Sequence, residues 1–238
     1  MKTNYTRSDF QFKTFIPGSN NAFPFYLLQK IPNCIEKNII FIYGETGLGK
    51  THLLQSVKNK RYKNIKKSTI CYINGEMFTN DCVAAVKEKL DIFEKYKNLN
   101  IFLFDDIDCI SFRDYTQKCL LQIITELKKR NALIVFSSHV PIRQLNGFNQ
   151  TLKDYITTGF QVDLVPPDYE TRKQIILSKV LQWQKILETP IVEQIAHCEI
   201  KDIRKLEACI CQCVSLQELM NKNLSDEQIN EILSEVTK

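Results

Sequence analysis

The chain has 238 residues, 44% of them hydrophobic, enough for one sizeable core and a small second module beyond it. Its 32 basic and 27 acidic side chains leave a net charge of +5, too mild to call by itself for a nucleic-acid partner. The first twenty residues hold no apolar leader core, and no apolar run approaches the ~20 residues that span a bilayer, so no membrane role and a cytoplasmic location are expected.

Five short β-rich runs come in chain order: IIFIY (39–43), ICYIN (70–74), IFLFD (101–105), LIVFS (133–137) and FQVDLV (160–165). Between the first four lie segments with helical spacing, such as Leu120, Ile123, Ile124 and Leu127. Strands apolar on both faces that alternate with helices predict an α/β core around a five-stranded parallel sheet. After the pair Pro166 and Pro167, which can extend neither a helix nor a central strand, only helical patterns return. Ile203, Leu206, Ile210 and Val214 form one, and Ser225 with Gln228 reads as a capping box for a last helix. The expected division is an α/β core over residues 1–166 and a small all-helical domain over 167–238.

Nine cysteines, at 34, 71, 82, 109, 119, 198, 209, 211 and 213, fall mostly in apolar periodic segments and read as buried thiols in a reducing compartment. In the CxCxC of Cys209, Cys211 and Cys213, helical geometry turns Cys211 away from the other two, which argues against zinc. KNKRYKNIKK (58–67) could contact phosphate backbones, although such a run is more often the solvated end of a helix. VKEKLDIFEKYKN (86–98) reads as a solvated helix face, and Trp183, Leu181 and Ile186 read as core of the helical domain.

Residues 44–51, GETGLGKT, satisfy GxxxxGK[ST] between a predicted strand and the helical pattern His52, Leu53, Leu54, Val57. Three of the chain's seven glycines, Gly44, Gly47 and Gly49, fall in this stretch. With Glu45, Thr46 and Leu48 they would turn backbone N–H groups inward around phosphate oxygens. Lys50 would reach the β- and γ-phosphates and Thr51 would hold Mg²⁺. His52 is carried with this nucleotide-binding set, although a histidine there more often packs or meets solvent. Asp105 and Asp106 end the third strand. Asp105 suits Mg²⁺, and Asp106 could orient a water, one methylene shorter than the glutamate usual in such ATPases.

From Phe12 to about Val214 the sequence resembles the ATPase core of the bacterial replication initiator DnaA, within the AAA+ class. FKTFIPGSN (12–20) looks like that family's adenine-side segment, which implicates Ile16, Pro17 and Asn20; EMFTN (76–80) looks like its signature after the second strand. IFLFDDID looks like its Walker B, and PPDYETR (166–172) and DIRKLEA (202–208) look like the hinge and the sensor 2 helix, with Arg204 as the phosphate-reaching arginine. The resemblance implies a P-loop AAA+ core with a helical lid, ATP or ADP with Mg²⁺ in the cleft between them, and catalytic Asp105 and Asp106. Two positions depart from the pattern. His139 stands at sensor 1, where the family usually has Asp, and Tyr155 stands at the arginine finger, where it cannot supply a cation. Weak ATPase at most is therefore expected, with Arg143 or Lys153 as candidate substitutes.

Length, the FIPGSN start and RQLN (143–146) make the sequence most like the family's short branch, Hda, which implies a negative regulator of replication initiation. The implied partners are the DnaA initiator, the DNA sliding clamp and further copies of the chain, with no sequence-specific duplex DNA. Only Gln11 with Phe12 and Phe15, at a different spacing, stands where that branch carries its clamp-binding peptide. The alternative is a DnaA paralogue or helicase-loader-like ATPase assembling on single-stranded DNA. A small-molecule P-loop kinase is a third reading.

Overall fold

The computed structural model describes residues 10–31, 38–62, 65–222 and 224–237. Cys34 and the middle of the basic run 58–67, residues 63 and 64, lie outside them. The described chain packs as two units. Of the described residues, those within 10–15, 23–44 and 50–164 form one, and those within 16–22, 45–49 and 165–237 the other.

The first unit is a five-stranded parallel sheet of β1 (Ile39–Tyr43), β2 (Ile70–Asn74), β3 (Ile101–Asp105), β4 (Leu133–Ser138) and β5 (Phe160–Asp163), in the spatial order β2-β3-β4-β1-β5. Every residue of β3 and β4 is buried, which explains their uninterrupted apolar reading: helices cover both faces of the sheet. β5 stops two residues short of the expected end. Leu164 still donates its N–H to Tyr43 O at 2.7 Å, and Pro166 then has no N–H to continue the ladder.

α1 (Ala22–Lys30) precedes β1, and between the strands run α2 (Lys50–Asn59), α3 (Gly75–Glu88), α4 (Ile92–Tyr96), α5 (Asp114–Lys129) and α6 (Gln150–Thr157). α5 buries Leu120, Ile123, Ile124 and Leu127, the stripe its spacing predicts. The segment 86–98 is not one solvated face. Lys89, left-handed at φ 54°, ends α3, and Asp91 caps α4 by accepting from Phe93 N at 2.9 Å. α4 turns Ile92 and Tyr96 inward, where Tyr96 is 1% exposed. Glu94 and Lys95 remain outside, Lys95 pairing with Asp81 and Glu94 with Lys97.

The second unit is built on α7 (Tyr169–Gln182), α8 (Thr189–His197), α9 (Ile203–Met220) and α10 (Asp226–Thr237). Ile176, Ile195, Leu206, Cys209, Ile210 and Cys213 form its centre. Cys211 is only half-buried, as helical spacing requires, and the eight described cysteines are free. The capping box of α10 is present: Ser225 N donates to Gln228 Oε1 at 3.0 Å and Gln228 N to Ser225 Oγ at 3.4 Å. Leu181 and Ile186, expected in this core, are instead 78% and 82% exposed, because α7 turns Ile176 and Val180 inward and leaves Leu181 on its outer side. Trp183 does pack against the core. No described helix is long and apolar enough to cross a membrane.

Candidate functional site

α2 begins at Lys50, directly behind the glycine-rich turn. Gly47 and Gly49 hold φ of +82° and +94°, a region that L side chains rarely enter. A Cβ on Gly47 would also fall 1.9 Å from Asp202 Oδ1, so this position admits no side chain. The same corner is fixed by the Ile203 N–H, which donates to Gly47 O at 3.1 Å.

Lys50 is buried, with its ammonium donating to Gly44 O at 2.6 Å. Phosphate oxygens are stronger acceptors for such a cation than a carbonyl is. Thr51 Oγ1 donates to Asp105 Oδ2 at 2.8 Å. β4 separates β3 from β1 in the sheet, yet Asp105 meets Thr51 because α2 runs back across β3. Asp105 is 1% exposed and accepts twice more: from the Tyr72 hydroxyl at 2.6 Å, and at its other oxygen from Ser137 Oγ. Burial first, and then the Asp105 charge, push the Tyr72 phenol well above its ordinary range, so it remains a donor. A hydroxyl beside a buried carboxylate is a hard oxygen set that suits Mg²⁺.

Asp106 takes a left-handed backbone (φ 52°) and donates its N–H to Ser137 Oγ at 2.8 Å. The turn that follows lies so close to Gly75 that a Cβ there would come within 2.8 Å of Asp106 O. It carries Asp108 round to His139, whose ring Nδ1 lies 2.8 Å from Asp108 Oδ2 and whose N–H donates to Asp108 Oδ1 at 3.2 Å. His139 Nε2 stands 3.8 Å from Asp106 Oδ1. Burial, followed by the Asp105 charge, raises the Asp106 carboxyl above its usual range against the opposing pull of His139 and Lys50. Burial also pushes Asp108 upward, but the hydrogen bonds and charge of His139 outweigh it and hold that carboxyl below the usual range. Among the described residues, Asp106, Asp108 and His139 are the group of three whose ligand atoms converge enough to hold an ion; the cysteines of 209–213 do not.

The other expected residues are placed as follows. The His52 ring faces the segment before it: Nε2 lies 3.0 Å from Gln11 O and 3.2 Å from Thr14 Oγ1, and the Phe10 and Phe15 rings are 4.8 and 5.3 Å away. Ile16 packs on the helical core, Pro17 is half-buried and Asn20 is exposed. Glu45 and Thr46 are exposed, whereas Leu48 is buried. Arg204, in the first turn of α9, is exposed and pairs with Asp202 at 3.2 Å. Tyr155 lies half-buried on α6, with the Lys128 ammonium 5.0 Å from its ring centroid; Arg143 is exposed and Lys153 half-buried. Sequence reasoning missed Tyr72, Ser137 and Asp108. The first two carry no motif, but Asp108 was readable as the third acid of DDID.

The family model described as the bacterial DnaA ATPase domain matches residues 6–163. The crystal structure of domain III from the Thermotoga maritima replication initiation protein DnaA is 30% identical, with a TM-score of 0.86 over 97% of this chain and 98% of that one. AMPPCP-bound DnaA from Aquifex aeolicus is 25% identical, with a TM-score of 0.79. That match takes in 87% of this chain and 65% of the Aquifex chain, so the sequence spans about two-thirds of that relative. The Thermotoga maritima RuvB Holliday junction branch migration motor, 14% identical with a TM-score of 0.59, shares the fold. The parallel sheet with its flanking and trailing helices is thus an AAA+ P-loop architecture, and the chain belongs to the family of bacterial DnaA ATPase domains, a replication-initiation module.

Proposed function

We propose that the chain binds an adenine nucleotide with Mg²⁺ and uses it to regulate the initiation of chromosome replication, acting on the DnaA initiator through AAA+ to AAA+ contact as the Hda branch does. The observation that carries the reading is the convergence of the glycine-rich turn, the buried Lys50 ammonium and the Thr51–Asp105 pair in a chain of this family. The AMPPCP held by the Aquifex relative supports the choice of an adenine nucleotide. When bound, Mg²⁺ neutralises phosphate charge. Thr51 and Asp105 would hold it, Lys50 would grip the β- and γ-phosphates, and the backbone of Gly44, Glu45, Thr46, Gly47, Leu48 and Gly49 would enclose them. Arg204 would give up Asp202 for a phosphate oxygen, and Ile16, Pro17 and Asn20 would border the base. Whether ATP or ADP occupies the site would set the conformation offered to partners, because the two differ in the contacts they make.

Tyr155 favours a regulator over a motor, since the position that supplies a cation to a neighbouring subunit's nucleotide carries a phenol. The clamp and further copies of the chain are proposed as additional partners. A second reading, an ATPase that assembles on single-stranded DNA, is favoured by the intact Lys50, Asp105 and Asp106. Steady-state turnover with and without single-stranded DNA separates the two, combined with capture of the initiator in each nucleotide state. The regulator reading predicts slow, DNA-indifferent turnover and nucleotide-dependent capture. Robust DNA-stimulated turnover without capture would overturn it.

A further inference from the structure

The basic run 58–67 finds its neighbours at the sheet edge opposite the glycine-rich turn. All five strands are parallel, so the segments that enter them share one edge, while Gly44, Asp105 and Asp106 lie at the other. Three entering segments, 60–69 before β2, 97–100 before β3 and 128–132 before β4, carry nine of the chain's 32 basic side chains and none of its 27 acidic ones. Nine exceeds the net charge of +5, so the rest of the chain is net acidic and the positive charge is gathered here.

Backbone pairing lines these segments up in the order of the strands. Asn100 N donates to Thr69 O at 2.8 Å, Leu133 N to Asn100 O at 2.9 Å and Ile134 N to Asn38 O at 2.7 Å. Side chains tie them as well: Arg130 Nη1 donates to Asn98 Oδ1 at 3.0 Å, and Asn38 Nδ2 to Asn131 Oδ1 at 3.3 Å. Lys60 donates to the carbonyls of Gln29 and Ile31, which fixes the end of α1 beside the row. Lys66 and Lys67 stand exposed at one end of it, and Lys128, Lys129 and Arg130 stand exposed at the other. Lys129 also pairs with Glu126 at 3.5 Å, a surface contact that a phosphate readily replaces. Two strand spacings of about 4.8 Å separate these ends, so both clusters reach phosphates that flank a single groove of about 12 Å.

We propose that this edge docks duplex DNA through its phosphate backbone, without reading sequence. A duplex carries one negative charge per ~1.7 Å of axis, the complement of a row of cations. The exposed amides of Asn98 and Asn100 lie between the two clusters and add donors for phosphate oxygens. Duplex is favoured over single strand because unpaired bases need exposed rings to stack on. Tyr62 is the aromatic residue of the three segments, and it donates its hydroxyl to Val57 O with the Lys60 ammonium 5.3 Å from its ring centroid. Among the described residues, none of the exposed large hydrophobics falls in these segments, which disfavours an edge that inserts into a lipid surface. The proposal stands apart from the nucleotide reading, since it uses the opposite edge of the sheet.

The test is fluorescence anisotropy of a labelled duplex titrated with the full chain across a salt series, repeated with a duplex of unrelated sequence. Unlabelled duplex, single strand, phosphatidylglycerol vesicles and polyglutamate serve as competitors. The variants are Lys66→Gln with Lys67→Gln, Lys129→Gln with Arg130→Gln, and a control pair away from the edge, Lys118→Gln with Lys222→Gln. The expected Kd is roughly 10 µM near physiological salt, the same for both sequences, with a log–log salt slope of about −4. Each edge pair should weaken binding about tenfold and flatten the slope by roughly 2, whereas the control pair should change affinity by less than about twofold. All three variants should keep the wild-type melting temperature and nucleotide affinity. No duplex binding at low salt, equal losses from the control pair, or stronger competition by single strand, vesicles or polyglutamate than by unlabelled duplex would overturn the proposal and leave the nucleotide reading untouched. A chain that binds duplex through this edge but takes up no nucleotide would uphold the proposal and overturn the functional reading instead.

Discussion

Asp105 and Arg204, the carboxylate and the guanidinium proposed for one ligand, are held by opposite means. Asp105 is 1% exposed and receives hydroxyls from α2, β2 and β4. Arg204 has a side chain that is 67% exposed and an ion pair with Asp202, two residues earlier on the chain. A buried carboxylate with three donors is preorganised and contributes to the stability of the sheet unit. An exposed pair contributes little to stability and is readily exchanged for a better anion. The sheet edge thus has its geometry before any ligand arrives, whereas the first turn of α9 can respond to one.

The strongest way to break this contrast is Asp105→Ala, which strands three hydroxyls and should cost about 2–3 kcal/mol in urea denaturation. A loss below about 0.5 kcal/mol, the range of ordinary surface substitutions, would show that the network is not structural. Next in size, Lys50→Ala should weaken binding of a magnesium adenine nucleotide roughly 10- to 100-fold, the worth of one or two charged hydrogen bonds. The measurement is an equilibrium titration.

The helical unit offers a smaller and pH-dependent effect. Asp168 caps α7 by accepting from Thr171 N at 2.8 Å and from its hydroxyl at 2.6 Å, and these bonds hold its carboxyl below the usual range. Its contribution is present above the ordinary carboxylate range and lost as pH falls through the depressed value. Asp168→Ala should cost about 1 kcal/mol at neutral pH, with the gap to wild type closing on acidification in parallel melts. Smallest of all, Arg204→Ala should change stability by less than about 0.5 kcal/mol while weakening nucleotide binding by roughly three- to tenfold. A large stability loss with unchanged binding would reverse the assignment.

The sheet was legible because its strands are buried on both faces: all five runs became strands, and only the last one ended early, at Asp163, ahead of Pro166. The glycine-rich turn before α2 was legible because GxxxxGK[ST] fixes four residue types, Gly44, Gly49, Lys50 and Thr51, within eight consecutive positions. Other features depend on single side chains or on contacts that periodicity does not encode. Lys89 in a left-handed conformation splits a run that reads as one helix. Leu181 and Ile186 look like core by hydropathy, yet the face that α7 buries holds Ile176 and Val180. Tyr72 and Ser137 acquire their meaning only from the strand order, which places β2 and β4 on either side of β3 and so brings both side chains to Asp105.

The most direct test of the central claim titrates wild type and Lys50→Ala with a fluorescent adenine nucleotide in the presence of Mg²⁺. The account predicts saturable binding of one nucleotide per wild-type chain, weakened by removal of the lysine and competed by unlabelled ATP and ADP. No binding by wild type, or equal binding by the variant, would contradict it.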